Sequence, residues 1–149
     1  MHAISAAWGA GTKARSVLRA QKPWVENSHI GATLHEAASI LLEGRGSIAA
    51  YAYLLDGPGH VAYLGPTFFT KFLYFIGYGR ILGQSQPLIL DRFVARGMND
   101  VRGTNWGDTG WTAQQYEQYV LWAGSEVVTG PLPSEDEVEF KIWVHGKSL

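Results

Sequence analysis

Apolar residues recur along this chain with helical spacing, and glycine and proline break the pattern into short pieces. Ile30, Leu34, Ala37 and Leu41 fall at i, i+4, i+7 and i+11, the stripe of an amphipathic helix that Gly44 stops. Ser47 is placed to cap a second helix carrying Ile48, Tyr51, Ala52 and Leu55, which Asp56-Gly57-Pro58-Gly59 ends. His60 to Leu64 is one turn of apolar chain, and Gly65-Pro66 makes a tight corner. Proline suits the first helical position, where its missing N–H would lack a partner anyway, so a helix is predicted over about 67–76. Gly77, Gly79, Gly83 and Pro87 mark a loop, after which Asp91 is placed to cap a helix reaching about Met98.

Thr112 with Gln115 has the spacing of a capping box, with Trp111 where a staple residue would sit. The helix behind it carries Tyr116, Tyr119, Val120 and Trp122. Ser134 with Glu137 repeats the box. Beyond it, Val138, Phe140, Ile142 and Val144 alternate as a strand would, but the cap and the acidic first turn favour a helix. The expectation is an all-α domain spanning residues 1–149, a compact bundle of six or seven short helices with little or no sheet.

Composition narrows the class. At 149 residues with 46% hydrophobic and 13% aromatic side chains, the chain can fill one core. It has no cysteine, so disulfides and thiolate metal sites are excluded. Its five histidines, including His29, His35, His60 and His145, show no ligand-like pairing, so no metal is expected. The N-terminal apolar stretch is too short for a signal peptide, and the run from Ile48 to Leu55 is too short to cross a bilayer. A cytoplasmic location, beside the nucleoid, and no membrane partner are expected. Net charge is −1 but unevenly spread: residues 1–102 hold 10 Lys/Arg against 6 Asp/Glu, and residues 103–149 hold 2 against 7. The resulting +4 and −5 suit a basic binding face with an acidic far end.

Two segments carry candidate chemistry. The first runs from His60 through Leu64-Gly65-Pro66-Thr67-Phe68-Phe69-Thr70-Lys71 to Phe75, and the second is Pro87-Leu-Ile-Leu-Asp91-Arg-Phe-Val94-Ala-Arg96. A helix, a tight glycine corner and a second helix present backbone N–H groups at a helix N-terminus, a sequence-independent phosphate clamp. Together the segments resemble the helix–hairpin–helix DNA glycosylases. In that superfamily an apolar pair leads into an Asp at a helix start, with a Val and an Arg behind it. Lys71, 20 residues ahead of Asp91, stands as the lysine does in the branch typified by 8-oxoguanine DNA glycosylase. The Gly-Pro-x-Phe-Phe-Thr-Lys-Phe-Leu-Tyr-Phe string and the Trp8-Gly9-x-Gly11 opening are especially similar to compact bacterial proteins with the 8-oxoguanine glycosylase fold.

The resemblance implies a DNA glycosylase, with AP-lyase activity, acting on an oxidised or otherwise modified base such as 8-oxoguanine. It implies DNA as partner and no cofactor. Breaking a glycosidic bond builds positive charge on the sugar, which a fixed carboxylate stabilises; Asp91 is the candidate, and it could also deprotonate a nucleophile. Lys71, if neutral, can attack C1′ and form an imine, which requires burial or a nearby cation to lower its pKa. Gly65, Thr67, Arg92 and Arg96 are candidate DNA contacts. Trp24, Trp106 and Trp111 are candidate walls for a base drawn out of the stack.

Blander roles stand beside these. Asp91 fits a plain helix cap, Lys71 a polar helix face shared with Thr67, Tyr74 and Tyr78, and Phe68, Phe69, Phe72 and Phe75 a core. Lys13, Arg15, Arg19 and Lys22 could track a DNA backbone, and Gln114, Gln115 and Gln118 a base edge, or all could face solvent. Two other functions remain open. One is a non-catalytic helix–hairpin–helix DNA-binding module, favoured by the single hairpin glycine, Gly65. The other is a phage-defence glycosylase that removes hypermodified bases from invading DNA.

Overall fold

The computed structural model describes residues 21–81 and 85–149, and these are helical without a strand. After helical residues 21–26 come α1 (Ile30–Ile40), α2 (Gly46–Leu55), α3 (Pro66–Gly77), α4 (Arg92–Arg102), α5 (Ala113–Thr129) and α6 (Glu135–Ser148). No helix among the described residues is long and apolar enough to cross a membrane. The Trp8-Gly9-x-Gly11 opening and Lys13, Arg15 and Arg19 lie outside the described residues.

The predicted stops act as their chemistry dictates. Gly44 adopts φ 93°, in the left-handed region that side chains avoid, and turns the chain between α1 and α2. Ser47 lies inside α2 rather than before it, and its Oγ donates to the carbonyl of Ser85. Pro66 takes the first position of α3, as its missing N–H favours. The α5 capping box is complete: Gln115 N–H donates to Thr112 Oγ1 at 3.2 Å, and Thr112 N–H to Gln115 Oε1 at 2.8 Å. Ser134 precedes α6 but makes no side-chain cap; Glu135, Asp136 and Glu137 oppose the positive end of that helix instead. Along α6, Val138 and Ile142 are buried while Phe140 and Val144 are exposed, which is helical rather than alternating periodicity.

The core gathers around Tyr51. Its ring stacks on Tyr116 of α5, with centroids 4.1 Å apart, and meets Phe69 of α3 edge-on at 5.0 Å. Its hydroxyl donates to the Trp111 carbonyl at 2.8 Å, so burying the phenol leaves no polar atom unpaired. A second seam joins α6 to α4. Gly97 and Gly146 sit there with backbone against backbone. A Cβ on Gly97 would meet the Ile142 carbonyl at 2.5 Å, and one on Gly146 would overlap the Phe93 carbonyl. Only glycine lets the two helices approach so closely.

Candidate active site

The site is built on a non-helical segment that belongs to no sheet. Residues 85–90 are non-helical and mostly buried, so their backbone donors need partners. Side chains from three helices supply them. Gln86 N–H donates to Glu135 Oε2 at 2.6 Å, and Ile89 N–H to Glu139 Oε2 at 2.8 Å. Leu88 N–H donates to the Tyr116 hydroxyl, which donates back to the Leu88 carbonyl, both at 3.1 Å. Leu90 N–H donates to Thr70 Oγ1 at 3.1 Å. Pro87 has no N–H to satisfy, so every donor from 86 to 90 is used.

That segment delivers Asp91 to the start of α4. Asp91 Oδ1 accepts from Phe93 N–H at 2.8 Å and Val94 N–H at 3.1 Å, and Oδ2 accepts from Trp143 Nε1 at 3.2 Å. Three donors fix the carboxylate in place. On α6, Glu135, Glu139 and Trp143 follow one another at i, i+4 and i+8, one stripe of the helix. The stripe binds residues 86, 89 and 91 in turn.

Between α3, this segment and α6 lies a cavity of about 660 Å³. Lys71, Tyr74 and Phe75 line it from α3, Ile89 and Asp91 from the segment, and Asp136, Glu137, Glu139, Phe140 and Trp143 from α6. Lys71 is 7% exposed, one of few buried polar side chains. Burial pushes its ammonium below the ordinary lysine range, while the Asp91 and Glu139 carboxylates pull it back up. Burial also pushes Glu139 up to about 8; the Ile89 N–H and Lys71 oppose this, and Asp91 and Asp136 add to it. Burial, with Glu139, Asp136 and Tyr78, pushes Tyr74 up to about 12, so its hydroxyl remains a donor. Buried Tyr119 has the only unpartnered buried side-chain polar atom among the described residues. A second cavity of about 500 Å³, lined by Met98, Arg102, Thr104, Gln118, Leu121, Trp122 and Ser125, has no carboxylate.

The structure thus brings Lys71 and Asp91 to one cavity. Gly65 and Thr67 stand at the N-terminus of α3, Gly65 as its cap residue. Arg92 is exposed, with its guanidinium over the Phe93 ring at 4.7 Å. Arg96 is held by Asp108 through two hydrogen bonds, of 3.1 and 2.7 Å. Of the three tryptophans proposed as base walls, Trp106 and Trp111 are buried in the core and Trp24 is exposed elsewhere; none lines this cavity. Phe75, expected in the core, is 37% exposed and does line it. Glu139 and Trp143 were not singled out by pattern, and Phe140 only as one of the alternating apolar positions. The available signal was the i, i+4, i+8 stripe of two carboxylates and an indole on a helix otherwise apolar at Val138 and Ile142.

Residues 1–143 match the model of the family described as "Putative 8-oxoguanine DNA glycosylase OGG-like protein". No curated protein and no solved structure matches the chain.

Proposed function

The chain belongs to the 8-oxoguanine DNA glycosylase OGG-like family, and from that premise we propose that it is a lysine-dependent DNA glycosylase with AP-lyase activity. The observation that carries this reading is the pairing of a buried amine with a pinned carboxylate on one cavity, Lys71 with Asp91. The substrate is a modified base in DNA, with 8-oxoguanine the first candidate, flipped out of the stack to lie against Phe75, Phe140 and Trp143.

The chemistry follows from the positions. Desolvation raises the neutral fraction of Lys71, whose Nζ attacks C1′ of the flipped nucleoside. The C1′–N bond breaks and its electron pair leaves with the base. Positive charge grows on the sugar in that step, and the carboxylate of Asp91 stabilises it without having to reorganise. The amine then gives up a proton to the ring oxygen O4′ as the C1′–O4′ bond breaks, and the sugar opens to an imine. Loss of a C2′ proton then expels the 3′-phosphate, which is the lyase step. The N-terminus of α3, at Gly65 and Thr67, and exposed Arg92 serve as phosphate contacts.

The test is borohydride trapping on duplex and single-stranded oligonucleotides carrying 8-oxoguanine and other modified bases. A covalent adduct is expected with the wild type and none with Lys71→Gln. Asp91→Asn should slow base release by at least tenfold while folding normally, because asparagine also caps helices well. Adduct formation that survives Lys71→Gln, or base release unchanged in Asp91→Asn, would remove those roles. Salt-sensitive DNA binding with neither adduct nor release would make the protein a binding module.

A further inference from the structure

Resting on this reading of the cavity, we propose that Glu139 is the acid that protonates the departing base, which makes the enzyme's substrates uncharged modified bases rather than cationic alkylated ones. An uncharged base leaves as an anion unless a proton reaches it during bond cleavage. A base already alkylated to a cation leaves as a neutral molecule and needs none. The identity of the acid therefore bears directly on the substrate class.

The geometry favours one candidate. Lys71 must be deprotonated to attack. Asp91 directs its two oxygens at three N–H donors, which call for an acceptor-only carboxylate. Asp136 and Glu137 lie in the first turn of α6, Glu137 is exposed, and neither is held by the segment that carries Asp91. Glu139 lines the same cavity one turn further along α6, and Ile89 N–H holds its Oε2 at 2.8 Å, two residues before Asp91 in sequence. One short segment thus fixes both carboxyl groups relative to each other. The charged and titratable groups around Glu139 are Lys71 and Tyr74 from α3, Asp91 from the segment, Tyr116 and Tyr119 from α5 and Asp136 from α6. Three of these are phenols held neutral by burial, two are carboxylates and one is an amine, a set that disfavours a second negative charge beside Asp91.

The proton balance closes within the cavity. As the C1′–N bond breaks, its electron pair goes to the base and the Glu139 proton goes to a nitrogen or oxygen acceptor on that base. Of the two protons that the Lys71 nitrogen loses on forming the imine, one goes to the ring oxygen O4′ as the C1′–O4′ bond breaks and the other to the carboxylate left on Glu139. No oxidant, metal or external acid enters.

Glu139→Gln tests the assignment, since glutamine still offers Ile89 N–H an oxygen acceptor but has no proton to give as an acid. Duplexes carrying 8-oxoguanine, the cationic 7-methylguanine and a preformed abasic site would be assayed from pH 5.5 to 9. The expected result is a loss of 8-oxoguanine release on the order of 10²-fold, at least tenfold greater than any loss of imine trapping at the abasic site. The wild-type rate of release should also fall above about pH 8, a limb the variant lacks. Equal losses on the two substrates would make Glu139 a structural anchor, and an unchanged pH profile would remove it as the acid; either overturns the inference. A wild type that traps the abasic site but releases only 7-methylguanine overturns the inference and leaves the lysine mechanism standing. A wild type that neither traps nor releases overturns the proposed function and this inference with it.

Discussion

The indole Nε1–H of Trp143 donates to Oδ2 of Asp91 at 3.2 Å, joining residues 52 positions apart in the chain. The bond ties the last helix to the start of α4, and it occupies the one oxygen of Asp91 that the helix cap leaves open. Phe93 supports it from the side, its ring edge-on to the indole with centroids 5.9 Å apart.

Trp143→Phe should therefore separate orientation from folding. Phenylalanine keeps the apolar contact and drops the donor, so stability should fall by about 1 kcal/mol, as for one hydrogen bond. Base release should fall more than that loss suggests, because Asp91 becomes free to rotate about its cap. A chemical melt paired with single-turnover release measures both; a variant with unchanged release would show that the two backbone donors alone hold Asp91 in place.

Much of the fold was legible because local rules governed it. Gly44, Pro66 and Asp91, and the Thr112–Gln115 pair, each do what their side chains dictate within four residues of themselves. Lys71 and Asp91 stood out through their spacing of 20 residues, and the structure places both on one cavity. The α6 wall was not. Glu139 and Trp143 reach the cavity only because α6 lies on α4, and that packing depends on two glycines, Gly97 and Gly146, which periodicity treats as weak helix positions. Trp111 misled for a related reason: its indole donates to the Gly107 carbonyl and its own carbonyl receives Tyr51, which commits it to the core.

Burial of Glu139 also makes stability depend on pH. Its carboxyl sits at about 8 in the folded protein against an ordinary 4.5. Between those values the folded chain holds a proton that the unfolded chain releases, so stability falls as pH rises through the window and levels off above it. Lys71 acts in the opposite sense at higher pH: its lowered value means that stability rises as pH climbs from there towards 10.5. The melting temperature of the wild type relative to Glu139→Gln should thus be higher at pH 5 than at pH 8.5. Parallel profiles for the two proteins would mean that Glu139 titrates normally.

Tyr116 and Tyr119 stand one turn apart on α5, both buried, yet their hydroxyls are in opposite situations. Tyr116 pairs with both backbone groups of Leu88, whereas Tyr119 has no partner. Tyr116→Phe strands a buried N–H and carbonyl and should cost about 1–3 kcal/mol. Tyr119→Phe removes an unsatisfied hydroxyl and should be neutral or stabilising. Denaturant melts decide the matter, and a Tyr119→Phe variant as damaged as Tyr116→Phe would indicate a bound water bridging Tyr119 to the site.

The same substitution, glycine to alanine, should have opposite effects at two helical positions. Gly31, in the first turn of α1, is exposed and has nothing within 4 Å of an added Cβ. Alanine there favours the helix and should add up to about 1 kcal/mol of stability. Gly146 is buried in α6, where a Cβ would overlap the Phe93 carbonyl and press on the Gly97 nitrogen. Both are backbone atoms of α4 and cannot swing aside, so Gly146→Ala should cost about 1–3 kcal/mol, as overpacking does. Relief comes from shifting α6 away from α4, and α6 carries the partners of Ile89 and Asp91. Gly146 itself does not line the cavity. Its alanine variant should nevertheless lose imine trapping at a temperature where the protein is still folded, whereas Gly31→Ala should retain it. Full trapping by folded Gly146→Ala would mean that the α6 wall is held by its three contacts to residues 86, 89 and 91 alone, independent of how closely the two helices pack.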